Sequence, residues 1–287
     1  MSKYTYNKDY FKVIDSADKA YWLGFLYADG CICEKYKDGI LKNMALEITL
    51  CSVDKHHLEK LSECLDSNLE IHVKNARCNG KDYSSCRLLV SCTSMCKDLI
   101  KLGCVPRKTY DLKFPSYDIV PYEYMRDFIR GYFDGDGCIH VGTMSGKKHI
   151  ELSITGMKDM LESISLFLIK EKVLRVLPKI YKDKRSQVNN MYLYGTDAVK
   201  DILDYLYLDS HMSLDRKYSQ YTDFYSDYDY DAPRYGVCYS EKNKAYIVRI
   251  AIDGKNVRVG QSKDVHVANQ MRIDAEYEKL QKQLNAG

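Results

Sequence analysis

The chain has 287 residues, of which 45% are hydrophobic and 29% charged, with a formal net charge of +3. Such values exclude a disordered or fibrous chain, and no stretch approaches the ~20 apolar residues that a membrane span needs. A charge this small does not by itself argue for nucleic acid, and eleven cysteines without a paired CxxC spacing read as buried thiols of a reducing, intracellular compartment, not as zinc ligands or disulfides.

The N-terminal segment MSKYTYNKDYFKV has no apolar signal region. A first helix is predicted from Ser16 or Asp18, both suitable N-caps, to Asp29. Strands follow near Cys31–Glu34 and Met44–Cys51. In the second, Glu47, Thr49 and Cys51 alternate with Leu46, Ile48 and Leu50, so one face is polar and the other apolar. A helix from Asp54 to Leu65, strands at Leu69–Lys74 and Cys86–Cys92, and a helix from Ser94 to Leu102 complete an α-β-β-α-β-β-α unit. From Pro121 the order repeats. A helix over Tyr122–Asp136 leads to strands near Cys138–Gly142 and His149–Thr155. Then come a helix at Lys158–Lys170, strands near Leu174–Tyr181 and Met191–Tyr194, and a helix at Thr196–Leu206. The polar faces of the two sheets would carry Glu47, Thr49, Arg87, Glu151 and Ser153, with Lys74 and Tyr192 as further candidates. The loops Glu34–Asn43, Asn75–Ser85, Gly142–Lys148 and Lys182–Asn190 are rich in Lys, Arg, Asn and Gly.

The repeat is sharpest at two helix ends. WLGFLYADG (Trp22 to Gly30) and IRGYFDGDG (Ile129 to Gly137) each close on Asp-Gly, and their acids, Asp29 and Asp136, lie 107 residues apart. Small residues sit four apart in both copies, Gly24 with Ala28 and Gly131 with Gly135, on one helical face that lets a second backbone approach closely. The flanking Trp22, Phe25, Leu26, Ile129, Tyr132 and Phe133 would pack each helix into its own half. Gly30 and Gly137 fall where a left-handed C-terminal cap is expected. An acid at a helix C-terminus is unfavourable by roughly 0.3–1 kcal/mol, and two such ends brought together repel. A divalent cation would offset both costs, and carboxylate with backbone carbonyl oxygen suits Mg²⁺. Asp134-Gly-Asp136-Gly also looks like the start of an EF-hand loop, but the position that needs Glu is Ser145.

These segments resemble the LAGLIDADG motifs of the homing endonucleases, in the single-chain, two-motif form, and the resemblance runs from about Tyr10 to Phe224. Trp22, Leu23 and Tyr27 replace the leading Leu, the Ala and the first Asp of the motif, whereas Asp134 keeps that Asp. The resemblance implies an α+β fold: two pseudo-symmetric αββαββα half-domains, residues 1–116 and 117–222, whose sheets form a saddle over double-stranded DNA. It implies a monomeric, site-specific DNA endonuclease in which two or three Mg²⁺ ions are held by Asp29 and Asp136 with the carbonyls of Ala28 and Gly135. It places the family's active-site lysine at Lys108 in GCVPRKTYDLKFP and at Lys217 in LDSHMSLDRKYSQY. The water-orienting polar residue of the family has no counterpart at Cys51-Ser52 or Thr155-Gly156. An RNA maturase that assists splicing, or a non-cleaving DNA-binding regulator, could use the same saddle.

Residues 223–233, acidic and ending in Pro233, read as a linker. Residues 233–287 hold six Lys and four Arg against six acids, while the rest of the chain holds 33 basic and 34 acidic residues, so the tail is the basic part. Strand-like runs at Tyr235–Ser240, Ala245–Ile252 and Asn256–Gln261 precede a helix from Asp264 to Leu284, with a hairpin signal at Asp253-Gly254. YGVCYSEKNKAYIVRI, DGKNVRVG and VANQMRIDAEYEKL resemble an AP2-type DNA-binding domain, here residues 234–287. The resemblance implies DNA contacts from Arg249 and Arg258, with Arg234, Tyr246 and Lys255 as further candidates. The plainer alternative is a small appendage that braces the core.

Overall fold

A computed structural model describes residues 4–78, 81–106, 112–144, 146–184 and 186–286. Helix α1 (Ala17–Asp29) starts at Ser16, whose hydroxyl oxygen accepts the Lys19 N–H at 3.3 Å and satisfies one orphan donor of the first turn. The chain passes directly into β1 (Gly30–Lys37), turns at Asp38-Gly39, both with positive φ, and returns as β2 (Ile40–Cys51). α2 (Lys55–Cys64), β3 (His72–Cys78), β4 (Lys81–Val90) and α3 (Thr93–Lys101) complete the first half. The second half repeats it: α4 (Met125–Asp136), β5 (Gly137–Met144), β6 (Lys147–Gly156), α5 (Lys158–Lys170), β7 (Lys179–Lys182), β8 (Asn189–Tyr194) and α6 (Thr196–Tyr207). Each half has one antiparallel four-stranded sheet, ordered β1-β2-β4-β3 and β5-β6-β8-β7.

Alternation decides which face each sheet buries. Leu46 and Ile48 on β2, and Leu152 and Ile154 on β6, go into the core; Glu47, Thr49, Glu151 and Ser153 do not. One continuous core joins the halves and includes Trp22, Phe25 and Leu26 of α1 with Ile129, Tyr132 and Phe133 of α4.

The differences from the sequence reading have local causes. Residues 34–43, expected as a loop, are the arm of the β1–β2 hairpin; most of these side chains are exposed, so no burial period marks the strands. β7 covers only Lys179–Lys182. An unexpected helix, α7 (Asp215–Phe224), follows α6. Its first turn is tied to the other half: Arg216 pairs with Asp54 at 3.3 Å, and Lys60 donates to the Ser213 carbonyl at 3.0 Å and pairs with Asp215.

After α7, residues 225–232 lie against α6 and do not hang free. The Tyr225 hydroxyl donates to the Thr196 carbonyl and that of Tyr228 to Asp197. The buried Lys200 ammonium sits over the rings of Tyr225, Tyr228 and Tyr230 at 5.4, 5.0 and 4.3 Å and pairs with Asp204. Then β9 (Val237–Ser240), β10 (Ala245–Ile252) and β11 (Lys255–Ser262) form a sheet ordered β11-β10-β9, covered by α8 (Val265–Ala286). This unit's own cluster of buried apolar residues is Val237, Val248 and Ala268. Further along α8, Leu280 belongs to the main core. Among the described residues no helix is long and apolar enough to cross a membrane.

Candidate active site and nucleic-acid interface

α1 and α4 cross at the centre of the molecule with backbone against backbone. A methyl group placed on Gly24 would lie 2.0 Å from the Phe128 carbonyl oxygen, and one on Gly131 would lie 1.9 Å from that of Tyr21. Only hydrogen fits at either crossing. The crossing brings together the C-terminal ends of both helices, where the acids sit. A methyl on Gly135 would fall 2.2 Å from the Ala28 methyl and 3.4 Å from Asp29 Oδ2, so the carboxylate of α1 lies against the last turn of α4. Asp29 is exposed and Asp136, the last residue of α4, is half-buried.

Gly30 and Gly137 are not left-handed caps. Their φ, ψ values of −74°, 144° and −91°, 163° are extended, because each glycine is already the first residue of a strand. Glycine is needed for space instead: a methyl on Gly137 would lie 2.2 Å from the Phe133 ring.

Lys217 reaches the acid end of α4 from α7. It is 3% exposed, and its ammonium donates to the carbonyls of Phe133, Asp134 and Gly137. It therefore supplies a cation where the helix dipole presents its negative end. Burial pushes its pKa down to about 8, against the pull of Asp134 and, more weakly, Asp29. Lys108 lies outside the described residues.

Asp134, the first acid of the second motif copy, is fully buried. Its carboxylate accepts from Tyr21 at 2.7 Å, Tyr207 at 2.6 Å and the Leu214 N–H at 2.7 Å. Burial raises its pKa, opposed by Lys217 and these hydrogen bonds. Arg130, one turn earlier and 1% exposed, pairs with Asp127 and donates to the carbonyls of Leu206 and Met212, closing the end of α6. These residues position the acids and escaped the sequence reading as a network. The available signal was three charged residues, Asp127, Arg130 and Asp134, on one otherwise apolar helix face, since buried charges require partners. At the place of Asp134, α1 has Tyr27, whose hydroxyl donates to the Leu102 carbonyl.

Among the described residues no three His, Cys, Asp or Glu side chains gather to hold a metal. The acid pair offers hard oxygens only, with the carbonyls of Ala28 and Gly135 adjacent in the chain. That donor set fits Mg²⁺, which keeps water and substrate phosphate as ligands, and does not fit zinc.

The sheet candidates stand on one open face in each half. Thr49 lies opposite Arg87, and Glu47 pairs with Arg87 at 3.5 Å. Ser153 lies between Cys138 and Tyr192, and Glu151 between His140 and Tyr194. In the C-terminal unit, Arg249 and Arg258 are exposed cross-strand partners, and Lys255 is exposed at the hairpin. Tyr246 is partly buried against the small core and its ring packs edge-on to Tyr239. Arg234 is committed elsewhere: both its terminal nitrogens donate to Asp201 on α6, at 2.9 and 3.0 Å. Asp201 also pairs with Arg175, which in turn meets Glu276 of α8 at 3.3 Å.

The probable translation initiation factor IF-2 of Methanocaldococcus jannaschii is 26% identical over 99 residues, which is 33% of this chain and 8% of that protein. The chain thus matches only a small part of that curated relative's length. Solved structures with a similar backbone include the LAGLIDADG meganuclease I-AabMI bound to uncleaved DNA (12% identity, 72% of this chain and 91% of that one, TM-score 0.46). They also include the LAGLIDADG homing endonuclease I-GzeII in complex with its DNA target (12%, 71% and 87%, TM-score 0.44). A third is I-SmaMI bound to uncleaved DNA with calcium ions (13%, 72% and 89%, TM-score 0.46). In sequence, residues 123–214 match the family model of the LAGLIDADG-like domain, so the second half of the core, with Asp136 at its helix end, is similar to that domain.

Proposed function

We propose that the protein is a Mg²⁺-dependent endonuclease that cuts double-stranded DNA at a specific site. The observation that carries this reading is the apposition of two helix-end acids across a glycine crossing, with the Asp29 carboxylate against Gly135. A fold selected for stability alone would not place two acids at two negative helix ends and then bring those ends together. The match of residues 123–214 to the LAGLIDADG-like domain supports the same class.

In this reading Asp29 and Asp136, with the carbonyls of Ala28 and Gly135, would hold the ions. Bound Mg²⁺ supplies charge for the scissile phosphate and lowers the pKa of an attacking water. The chain's own contribution is geometric and electrostatic. Gly24 and Gly131 let the helices close, Asp134 and Arg130 fix α4 to the segment after α6, and Lys217 neutralises the end of α4 beside Asp136. Lys108 is the proposed counterpart on the first half. The open sheet faces, with Glu47, Thr49, Arg87, Glu151 and Ser153, would lie in the major groove, which admits a two-stranded ribbon. Arg249, Arg258 and Lys255 would extend the contact as an AP2-like surface; Arg234 instead helps to dock that surface on α6.

The test is cleavage of DNA that spans the locus of the protein's own gene, joined as if the gene were absent, in Mg²⁺. The expected result is a linear product with a short staggered end from the natural protein, and binding without cutting by Asp29→Asn and Asp136→Asn. Undiminished cutting by either variant overturns the site; RNA splicing assistance without DNA cleavage would favour the maturase alternative.

A further inference from the structure

The two sheets share a backbone but differ in chemistry at matching places. The helix-end glycines fix the match: Gly30 faces Ile48 and Gly137 faces Ile154, so Ser153 stands where Glu47 does, and the next strand offers Leu89 opposite Glu47 but Tyr192 opposite Ser153. Thr49 faces Arg87 and its counterpart Thr155 faces Asn190, while Tyr194 faces Glu151. Tyr181 of β7 joins them on the same open face. The Tyr181 and Tyr192 ring centroids are 6.1 Å apart, and those of Tyr192 and Tyr194 are 6.2 Å apart with planes within 11° of parallel. Tyr181 and Tyr194 are 51% and 61% exposed. Lys179, Lys182 and Lys184 are exposed along the outer edge of this sheet.

Exposing Tyr181 and Tyr194 on either side of the half-buried Tyr192 costs solubility, and nothing of the core requires it, since Met191 and Leu193 on the other side of β8 supply the burial. Cross-strand aromatic pairing stabilises sheets, but Tyr192 and Tyr194 are successive outward residues of one strand. Parallel rings at that spacing, with lysines at the rim, match what binds unpaired bases: π-faces for stacking and cations for the backbone.

We propose that Tyr181, Tyr192 and Tyr194 form a stacking platform for the unpaired bases of a nucleic-acid strand. Its β8 rings lie two strands, and Tyr181 three strands, from β5, the strand that continues directly from Asp136. The proposal rests on the reading of the open sheet faces as a nucleic-acid interface, and it adds that the second half accepts bases out of the duplex.

The experiment compares three labelled probes at fixed salt: a fully paired DNA duplex, the same duplex with a short unpaired stretch carrying 2-aminopurine, and the single strand. Affinity is read by anisotropy and stacking by quenching of the 2-aminopurine. The natural protein is expected to bind the interrupted duplex roughly tenfold more tightly than the paired one and to quench the probe. Tyr192→Leu and Tyr194→Leu should each lose that preference, and Tyr192→Phe and Tyr194→Phe should keep it, the preference being read as the ratio of the two affinities for each variant. Equal affinity of the natural protein for paired and interrupted DNA, or Leu variants that behave like the Phe variants, overturns the platform and leaves the duplex reading standing. Binding of unpaired probes alone supports the platform and overturns the duplex reading. No binding of any probe overturns both.

Discussion

His57 shows how one buried residue sets a pH response. It is 2% exposed among Trp22, Phe25 and Tyr21, and burial brings its pKa down to about 3. The Tyr21 hydroxyl spends its proton on Asp134, so at 3.1 Å His57 Nε2 must be the donor to the Tyr21 oxygen. Nδ1, without a hydrogen-bond partner among the described residues, is then a bare acceptor, which costs less than a buried orphan N–H. The unfolded chain takes up a proton here below about pH 6.5. The folded chain does so only near pH 3, so stability falls as pH drops through that window. At pH 5 the loss amounts to about 2 kcal/mol. Asp134 acts in the opposite sense, because its raised pKa lets the folded state take a proton first. Urea midpoints at pH 7 and pH 5 for the natural protein and His57→Gln isolate the histidine: the variant should lose less on acidification, and an unchanged slope contradicts the assignment. Lys217 makes a second residue-scale case. Lys217→Met removes the ammonium that opposes the desolvation of Asp134 and the donor it gives to the carbonyls of Phe133, Asp134 and Gly137. The expected destabilisation is roughly 3–5 kcal/mol in metal-free buffer. A lysine that served chemistry alone would leave that urea midpoint unmoved.

At the scale of elements, the crossing of α1 and α4 is the least tolerant contact in the fold. Gly131→Ala drives a methyl to 1.9 Å from the Tyr21 carbonyl, a backbone atom that cannot rotate away. It should lower stability by about 3 kcal/mol or more, since overpacking here must separate two helices. Gly39→Ala is the control: it meets nothing within 4 Å and strains only a positive φ, so about 1 kcal/mol is expected. Thermal melts that rank the two equally would refute the close crossing. This contact was legible in the sequence because glycine four residues before a small residue has few other uses when it occurs twice. The αββαββα order was legible for a related reason, since Leu46, Ile48 and their alternating neighbours declare a strand by period alone. The β1–β2 arm was not, because Lys35, Tyr36 and Lys37 are exposed and hydrogen-bond only to the paired strand, which leaves no pattern. α7 was hidden because it buries little beyond Lys217 and Tyr221, and a buried lysine reads as a break in an apolar stripe. The acid pair could be named from Asp29 and Asp136, but its supports could not: Tyr21, Tyr207 and Leu214 reach Asp134 across 73 to 113 residues of chain.

The whole molecule is organised so that the C-terminal unit leans on the second half instead of standing alone. Val237, Ala245, Ile247, Val248, Ile250 and Ala268 are the buried apolar residues of the three strands and the first turn of α8, a small core for a unit of this size, because small domains already bury too little surface for their chain entropy. Leu280 lies in the main core, and the chain of charges Arg234–Asp201–Arg175–Glu276 ties the start of the unit, α6 and α8 together. Half-buried ion pairs of this kind fix geometry more than they add stability, whereas losing one partner strands the others. Three outcomes should follow. A fragment of residues 234–287 should show no cooperative melt. Leu280→Ala should destabilise the full chain by roughly 2–5 kcal/mol through the main core, although it lies outside both halves of the repeat. Arg234→Ala should loosen the unit without unfolding the core, seen as faster amide exchange in β9, β10 and the first turns of α8 while α1 and α4 stay protected. If the isolated fragment folds cooperatively, or if Leu280→Ala leaves the melt of the core unchanged, the unit is an independent domain and its basic strand face is free to move relative to the acid pair. If it is docked as described, Arg249 and Arg258 keep a fixed bearing on Asp29 and Asp136. Any DNA they contact must then lie at one set distance from the acid pair, and lengthening the segment at Asp231 should leave that distance unchanged.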